Sequence, residues 1–467
     1  MQVKVFKRSF YNNLLEWKRE NSTQKRKALL VCGARQIGKT FLIDQFAKNE
    51  YDNVIKIDFI QNSQAKASFQ SITSSKGAVE VLSLTLGKKL QPEKTLVFLD
   101  EVQEVPEVVT FAKYLVQDGR FDLVLSGSLL GVELKNVRSL PVGYMKILNM
   151  TPMSFEEFCW ASGVPNFALE HVKNCYTSKE PVDAPIHQNF INLFRHYLIT
   201  GGMPEAVQVQ LNSNSDLGSV REELQEIVRL YREDISKYSQ SRTLQIKAIF
   251  DAIPTQLAKE NKRFQIKDIK SNAKFDRLEG NFSWLISSGA ALKALNVTEP
   301  KLMLQRTAQN TRFKLFAADV GMLLAQYPAQ VSIDALVGKK SINFGAVYEN
   351  FFAQELKNAG VKLYYYRNSK KGEVDFLVET QAGKIIPVEI KSGKDYKSHR
   401  ALNNLLETKE YGIEQAVVLS EDNVSMGQKA GKSVYYLPIY MAGLLAAEAV
   451  QIPNCELTNF NATQLKW

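Results

Sequence analysis

Cysteine and histidine are scarce, with 4 of each among 467 residues. Cys32, Cys159, Cys175 and Cys455 form no C-x-x-C pair, which argues against a zinc module or a disulfide scaffold. No long proline, glycine or serine tract occurs, so folded domains joined by short connections are expected rather than a disordered chain. Long apolar runs are also missing: residues 441–447 are too few to span a bilayer and are followed by Glu448. The basic start, residues 1–8, leads into no signal-peptide core, so a cytoplasmic protein with no membrane partner is expected. The chain is too long for one ordinary core, and three or four domains are expected. Its formal net charge of +10 permits nucleic acid or another acidic partner without identifying one.

The most informative stretch is Gly33-Ala34-Arg35-Gln36-Ile37-Gly38-Lys39-Thr40, which has the spacing GxxxxGK[ST]. It follows the apolar run 28–32 and precedes a helix-like segment, so it is expected to bind a nucleoside triphosphate. Gly33 and Gly38 let the backbone curl until successive N–H groups face the phosphates, and the next helix adds its own unpaired N–H groups. Lys39 would reach the β and γ oxygens, and Thr40 would offer its hydroxyl to magnesium. Residues 95–101 read as a buried strand ending in Asp100 and Glu101. Asp100 would hold the hydrated magnesium and Glu101 would orient the attacking water. Residues 121–128 form another short strand ending in hydroxyls, with Ser128 or Ser126 placed to sense the γ-phosphate.

These segments give the order strand 28–32, helix 39–48, strand 54–58, helix 76–87, strand 95–99, helix 107–117 and strand 122–126. Unbroken apolar strands alternating with helices imply an α/β domain with a parallel sheet covered on both faces, spanning residues 1–150. Beyond it Ser154, with Glu157 three residues on, reads as a helix cap, and helices over 187–209 and 219–238 suggest a helical lid, 151–238. Thr200-Gly201-Gly202-Met203-Pro204 interrupts the first of these with a sharp turn. Residues 239–335 read as a winged-helix domain: helices over 241–259, 265–271 and 275–288, then a wing hairpin from 290–295 and 312–316. Contact of its third helix with DNA and a pure packing role both stay open.

Residues 336–467 carry a second group of polar residues. Glu349 lies in a helical segment, and a strand with Glu373 and Asp375 on one face is followed, after a turn at Gly383, by one with Glu389 and Lys391. The hairpin would bring Asp375 and Glu389 close enough to share magnesium. Lys391 would offset charge on a phosphoryl oxygen, and Glu349 would complete the site. Lys391 pairing with Glu389 in an inactive hairpin is the alternative.

In the motifs already quoted, and in residues 153–158, 197–205 and 313–321, the chain resembles a large prokaryotic group of AAA-type ATPases fused to a C-terminal DUF4143 domain. The resemblance implies a P-loop core, a helical and winged-helix middle, and a restriction-endonuclease-like C-terminal α/β domain. Lys39 and Thr40 match its nucleotide site, Asp100 and Glu101 its metal and water positions, Ser128 its polar sensor, and Glu349, Asp375, Glu389 and Lys391 the nuclease-superfamily residues. The chain departs from the group at Val142-Gly143-Tyr144-Met145, where a Gly-Arg pair is common. The leading expectation is magnesium-dependent ATP binding and hydrolysis, with double-stranded DNA as a candidate partner. An ATP-regulated DNA nuclease and a nucleotide-switched scaffold for a protein partner are the alternatives, with the oligomeric state open.

Overall fold

A computed structural model describes residues 4–71, 77, 94–128, 141, 143–213, 216–238, 242–269, 271, 274–339, 344–393 and 396–453. The helix expected over 76–87 lies almost wholly outside the described residues. The first layer is a sheet of β1 (Ala28–Cys32), β2 (Asn53–Asp58), β3 (Thr95–Asp100), β4 (Asp122–Gly127) and β5 (Met145–Asn149), all parallel in the order β2-β3-β4-β1-β5. Strands β1, β3 and β4 are buried along their whole length, as parallel strands covered on both faces must be. One face packs against helix Glu107–Asp118 and the other against helices Phe10–Thr23 and Lys39–Glu50. The α/β expectation for this part of the chain therefore holds.

The middle is helical, and its junctions are polar and buried. Ser154 and Glu157 form a reciprocal capping box at helix Phe155–Ala161. Helix Ala184–Thr200 stops at Gly201 because the following turn inserts between two other segments. The Gly202 N–H donates to Asp319 Oδ2 at 2.6 Å, and Gly202 O accepts from Met153 N at 2.7 Å. A Cβ on Gly202 would stand 2.0 Å from Met153 O, so this turn admits no side chain there. Asp319 also accepts from Gln354 Nε2 at 3.1 Å, and that amide donates to the Tyr197 hydroxyl at 2.9 Å. The turn thus joins the exit of the first sheet to the helix Gly345–Asn358 of the C-terminal region through satisfied buried hydrogen bonds, which fix one arrangement of the parts.

Beside this junction Glu355 is buried with Oε1 accepting from Phe155 N at 3.1 Å. Burial, with repulsion from Glu157 and Glu156, lifts its pKa from 4.5 to about 8. A carboxyl raised in the folded state favours folding at low pH and loses that contribution as pH rises through the folded value. Glu355→Gln keeps the acceptor and removes the charge. Its stability gain over the parent, measured by urea unfolding, should therefore be larger at pH 8.5 than at pH 5; equal gains at both would show that Glu355 is not the titrating group.

The second sheet corrects the expected division of the chain. It contains β6 (Ala291–Val297), β7 (Ala308–Ala317), β8 (Tyr364–Asn368), β9 (Gly372–Glu379), β10 (Ile385–Ile390), β11 (Gln415–Ser420), β12 (Ser425–Lys429) and β13 (Lys432–Pro438). They run in the order β12-β13-β11-β10-β9-β8-β6-β7. The hairpin read as a wing does form, with β6 and β7 antiparallel, but β6 also pairs in parallel with β8. The hairpin therefore extends the C-terminal sheet instead of standing free, and a boundary at residue 335 would cut one sheet in two. Backbone pairing of Leu295 with Tyr364 and Val297 with Tyr366, 69 residues apart in each case, decides this, and local periodicity carries no trace of it. Helix Phe275–Ser287 is likewise tied down: Phe282 and Phe275 pack against Phe313 of β7, with ring centroids 5.0 and 5.9 Å apart.

Candidate functional site

At the end of β1 the chain leaves the sheet through Gly33, whose φ is +150° and where a Cβ would lie 2.4 Å from Met150 O. Only glycine fits that approach. The loop continues through Ala34, Arg35, Gln36 and Ile37 to Gly38, with φ of +60° at Gln36 and +86° at Gly38, and helix Lys39–Glu50 starts directly. The first N–H groups of a helix have no intrahelical partner, so loop and helix together present a concave donor surface suited to an anion. Inside the curl Lys39 Nζ donates to Gly33 O at 3.1 Å and Ala34 O at 2.5 Å. Burial pulls the Lys39 pKa down to about 8 despite the opposing carboxylates of Glu101 and Asp100.

The sheet order puts β4 between β1 and β3, so the ends of all three strands meet beside this loop. Thr40 Oγ1 donates to Asp100 Oδ2 at 2.8 Å, the Ser126 hydroxyl donates to Asp100 Oδ1, and the Glu101 N–H donates to Oδ1 at 3.0 Å. Asp100 is therefore held by hydroxyls from both neighbouring elements. Glu101 has φ +56°, a conformation that costs a non-glycine residue about 1–3 kcal/mol and aims its side chain off the strand. The Gln103 amide donates to Glu101 Oε2. Ser128 lies just past β4 and accepts from Arg35 Nε at 3.1 Å.

Sequence reasoning missed the groups that brace this loop. Arg35 Nη1 pairs with Asp234 Oδ1 at 2.6 Å, and the Tyr231 hydroxyl donates to Arg35 O at 3.0 Å, so helix Leu217–Tyr238 grips the loop from the lid side. Arg8 is buried; its Nη1 donates to Ile37 O at 3.0 Å and its Nε pairs with Glu157 Oε2 at 3.1 Å. No local pattern marks Arg8 or Asp234, because their partners lie far along the chain. A cavity of about 350 Å³ adjoins the loop, lined by Phe6, Gln36, Gly38, Phe41, Leu42 and Pro204 among others. Its walls are mainly apolar, and Phe41 is 45% exposed.

The C-terminal polar residues also come together, on one face of the second sheet. Glu349 projects from helix Gly345–Asn358, Asp375 from β9, and Glu389 and Lys391 from the end of β10. A lysine that joins this group was not among those expected. Lys314 of β7 is fully buried, with Nζ 2.7 Å from Glu373 Oε1, 3.0 Å from Glu349 Oε2 and 3.8 Å from Asp375 Oδ1. Lys262 pairs with the other oxygen of Glu349. A lysine inside the apolar run Phe313-Lys314-Leu315-Phe316 was the available signal for this charge.

Electrostatics follow from this crowding. Burial alone would lower the Lys314 pKa, but Glu349, Glu373 and Asp375 outweigh it and hold the ammonium above its ordinary range. Burial would raise Glu349, yet Lys314 and Lys262 bring it below the usual carboxylate value. Asp375 is pushed well up by burial and by Glu349 and Glu389, while its Oδ2 accepts from Ile390 N at 2.9 Å. Lys391 Nζ sits 3.0 Å from Glu389 Oε1, the alternative reading of that residue. Lys314 and Lys262 are seated on Glu349 and Glu373, whereas Asp375 lies 3.8 Å from Lys314 and Glu389 pairs through Oε1 with Lys391 while its Oε2 is buried without a hydrogen-bond partner among the described residues, so the two acids expected to share magnesium are not the ones these ammonium groups hold.

Family models match the chain over three stretches: an AAA domain over residues 25–159, a domain of unknown function (DUF8612) over 191–332, and a domain of unknown function (DUF4143) over 344–440. No functionally curated protein matches. Among solved structures, the chain is similar to the Walker-type ATPase PABY2304 of Pyrococcus abyssi at 15% identity and a TM-score of 0.43, over 69% of this chain and 96% of that one. It is similar to the Thermotoga maritima RuvB Holliday junction branch migration motor at 12% identity and a TM-score of 0.27, over 61% of this chain and 89% of that one. Similarity to C. elegans PCH-2 is 15% identity with a TM-score of 0.27, over 46% and 68% of the respective chains.

Proposed function

We propose, for a chain that belongs to the AAA-type ATPases carrying a C-terminal DUF4143 domain, that ATP binds with magnesium at the loop formed by residues 33–40 and is hydrolysed there. The observation that carries this reading is the meeting of the glycine loop, Asp100 with Glu101, and the Ser126 and Ser128 hydroxyls at one end of a β2-β3-β4-β1-β5 sheet. Backbone N–H groups from Gly33 to Thr40 cradle the phosphates, and Lys39 exchanges the Gly33 and Ala34 carbonyls for β and γ oxygens. The apolar cavity beside Phe41 takes the nucleoside. The donor set Thr40, Asp100 and Ser126 is oxygen-only and suits magnesium, which when bound would neutralise phosphate charge. Glu101 orients the attacking water, and Ser128, braced by Arg35, contacts the γ-phosphate.

Glu101→Gln tests the assignment. It keeps the shape and a hydrogen-bonding carbonyl but cannot accept the proton of water, so turnover should fall about 100-fold or more while ATP still binds. Undiminished turnover would remove Glu101 from this role.

The chain Gly345–Asn358, β8, β9, β10, helix Arg400–Glu407, β11 supports a second reading, a restriction-endonuclease-like fold for the C-terminal domain. Because Lys314 and Lys262 both pair with Glu349, the helix-borne member of the expected set, we assign this domain a coupling or binding role for a DNA or protein partner, with magnesium-dependent cleavage through Asp375 and Glu389 as the competing reading. Plasmid nicking by the parent, absent from Asp375→Ala, would reverse that assignment.

A further inference from the structure

Next to the neutralised acids the same sheet face holds a second, basic site. A cavity of about 210 Å³ is lined by Arg263, Arg312, Arg367, Asn296, Tyr365 and Asn261 together with Ser369. Asn296 of β6 and Tyr365 of β8 are register partners, so they stand side by side at its floor. Both are buried, at 2% and 0% exposure. The Tyr365 hydroxyl, Asn296 Oδ1 and Arg263 Nε are all buried without a hydrogen-bond partner. Leaving such groups unpaired is costly, so their convergence on one cavity marks a place for a polar ligand.

The chemistry of the lining narrows the ligand. Arg367 is partly engaged, pairing with Glu373 at 3.2 Å and donating to Asn261, while Arg312 is exposed at the mouth. Guanidinium groups match the spacing of phosphate oxygens, and the Tyr365 hydroxyl and Arg263 Nε add two further donors. Asn296 Oδ1 is an acceptor, which suits an oxyanion that keeps one hydroxyl. We propose that this pocket binds a phosphate group bearing a P–OH, either free phosphate or the terminal phosphate of a nucleic-acid strand. The site is separate from the nucleotide loop and does not depend on the ATPase reading.

The test uses the full chain carrying Lys39→Ala, which weakens the competing loop. Calorimetric titrations with inorganic phosphate, and with one short DNA strand with and without a 5′-phosphate, are compared across added substitutions. Arg312→Gln changes an exposed side chain and should weaken binding at least tenfold. Tyr365→Phe deletes the unpaired hydroxyl; it should weaken binding while leaving the unliganded melting temperature equal or higher, which a purely structural tyrosine would not do. Preference for the phosphorylated strand assigns the site to nucleic-acid ends, and binding of inorganic phosphate alone assigns it to a small ligand. Failure of both probes to bind, or binding unmoved by Arg312→Gln and Tyr365→Phe, overturns the proposal.

Discussion

Lys314→Met should cost the folded protein about 3–5 kcal/mol, because it removes the cation from a buried group of carboxylates while filling most of the space. The Lys314 ammonium lies 2.7 Å from Glu373 and 3.0 Å from Glu349, with no solvent exposure of its own. Water cannot replace it there, so the acids must either bear uncompensated charge or take up protons. A loss this large is reserved for buried networks; an exposed ion pair of similar length is worth about 0–1 kcal/mol. Urea unfolding of the full chain measures it. Glu349→Gln added to Lys314→Met should restore part of the loss, because it removes one of the carboxylates that Lys314 balanced and leaves less negative charge for Lys262 to offset. A single-variant deficit under about 1 kcal/mol, or no recovery in the double variant, would show that the pairing does not hold the sheet face together.

Lys39→Ala should lower ATP affinity about 100-fold or more. The ammonium would make two or more charge-assisted hydrogen bonds to phosphate oxygens, each worth about 1.5–3 kcal/mol, and every 1.4 kcal/mol is about tenfold in affinity. Folding should change little, since among the described residues this ammonium donates to carbonyls of its own loop, Gly33 O and Ala34 O. Burial already depresses its pKa, so its charge is maintained at a cost that phosphate contacts would repay. Calorimetric titration with the ATP complex of magnesium, alongside thermal melting, separates the two effects. Unchanged affinity would place the nucleotide elsewhere.

The lid and the loop are mechanically linked by particular contacts. Asp234 holds Arg35, Pro204 lines the cavity beside the loop, and the turn just before Pro204 is locked to Asp319 and, through Gln354, to the C-terminal helix. A nucleotide that shifts residues 33–40 therefore acts on groups continuous with the second sheet. This continuity gives a physical sense to the glycine-rich motif at 200–205 and the aspartate motif at 313–321, which sequence reading recognised without being able to say that they touch.

Much of the candidate nucleotide site was legible in the sequence, because its parts are local. Gly33, Gly38, Lys39 and Thr40 lie within one turn between a strand and a helix, and Asp100 and Glu101 end an apolar run. The braces Arg8 and Asp234 were not legible, since each acts on a loop 29 or 199 residues away. In the C-terminal domain Asp375 and Glu389 were read from alternation and Glu349 from a helical segment, yet the lysines beside them, Lys314 and Lys262, were not foreseen because they arrive from segments assigned to another domain.

By itself, then, the sequence determined the alternation of strands and helices, the curled anion-binding loop and the faces on which the acids fall, all of which follow from backbone geometry and period over a few residues. Tertiary structure alone decided that β6 and β7 join the C-terminal sheet, that ammonium groups sit on the carboxylates, and that three arginines border a cavity with unpaired polar atoms. The reason is physical: hydrogen-bond pairing between distant strands and the neutralisation of buried charge depend on which side chains meet in space, and local periodicity places no constraint on that meeting.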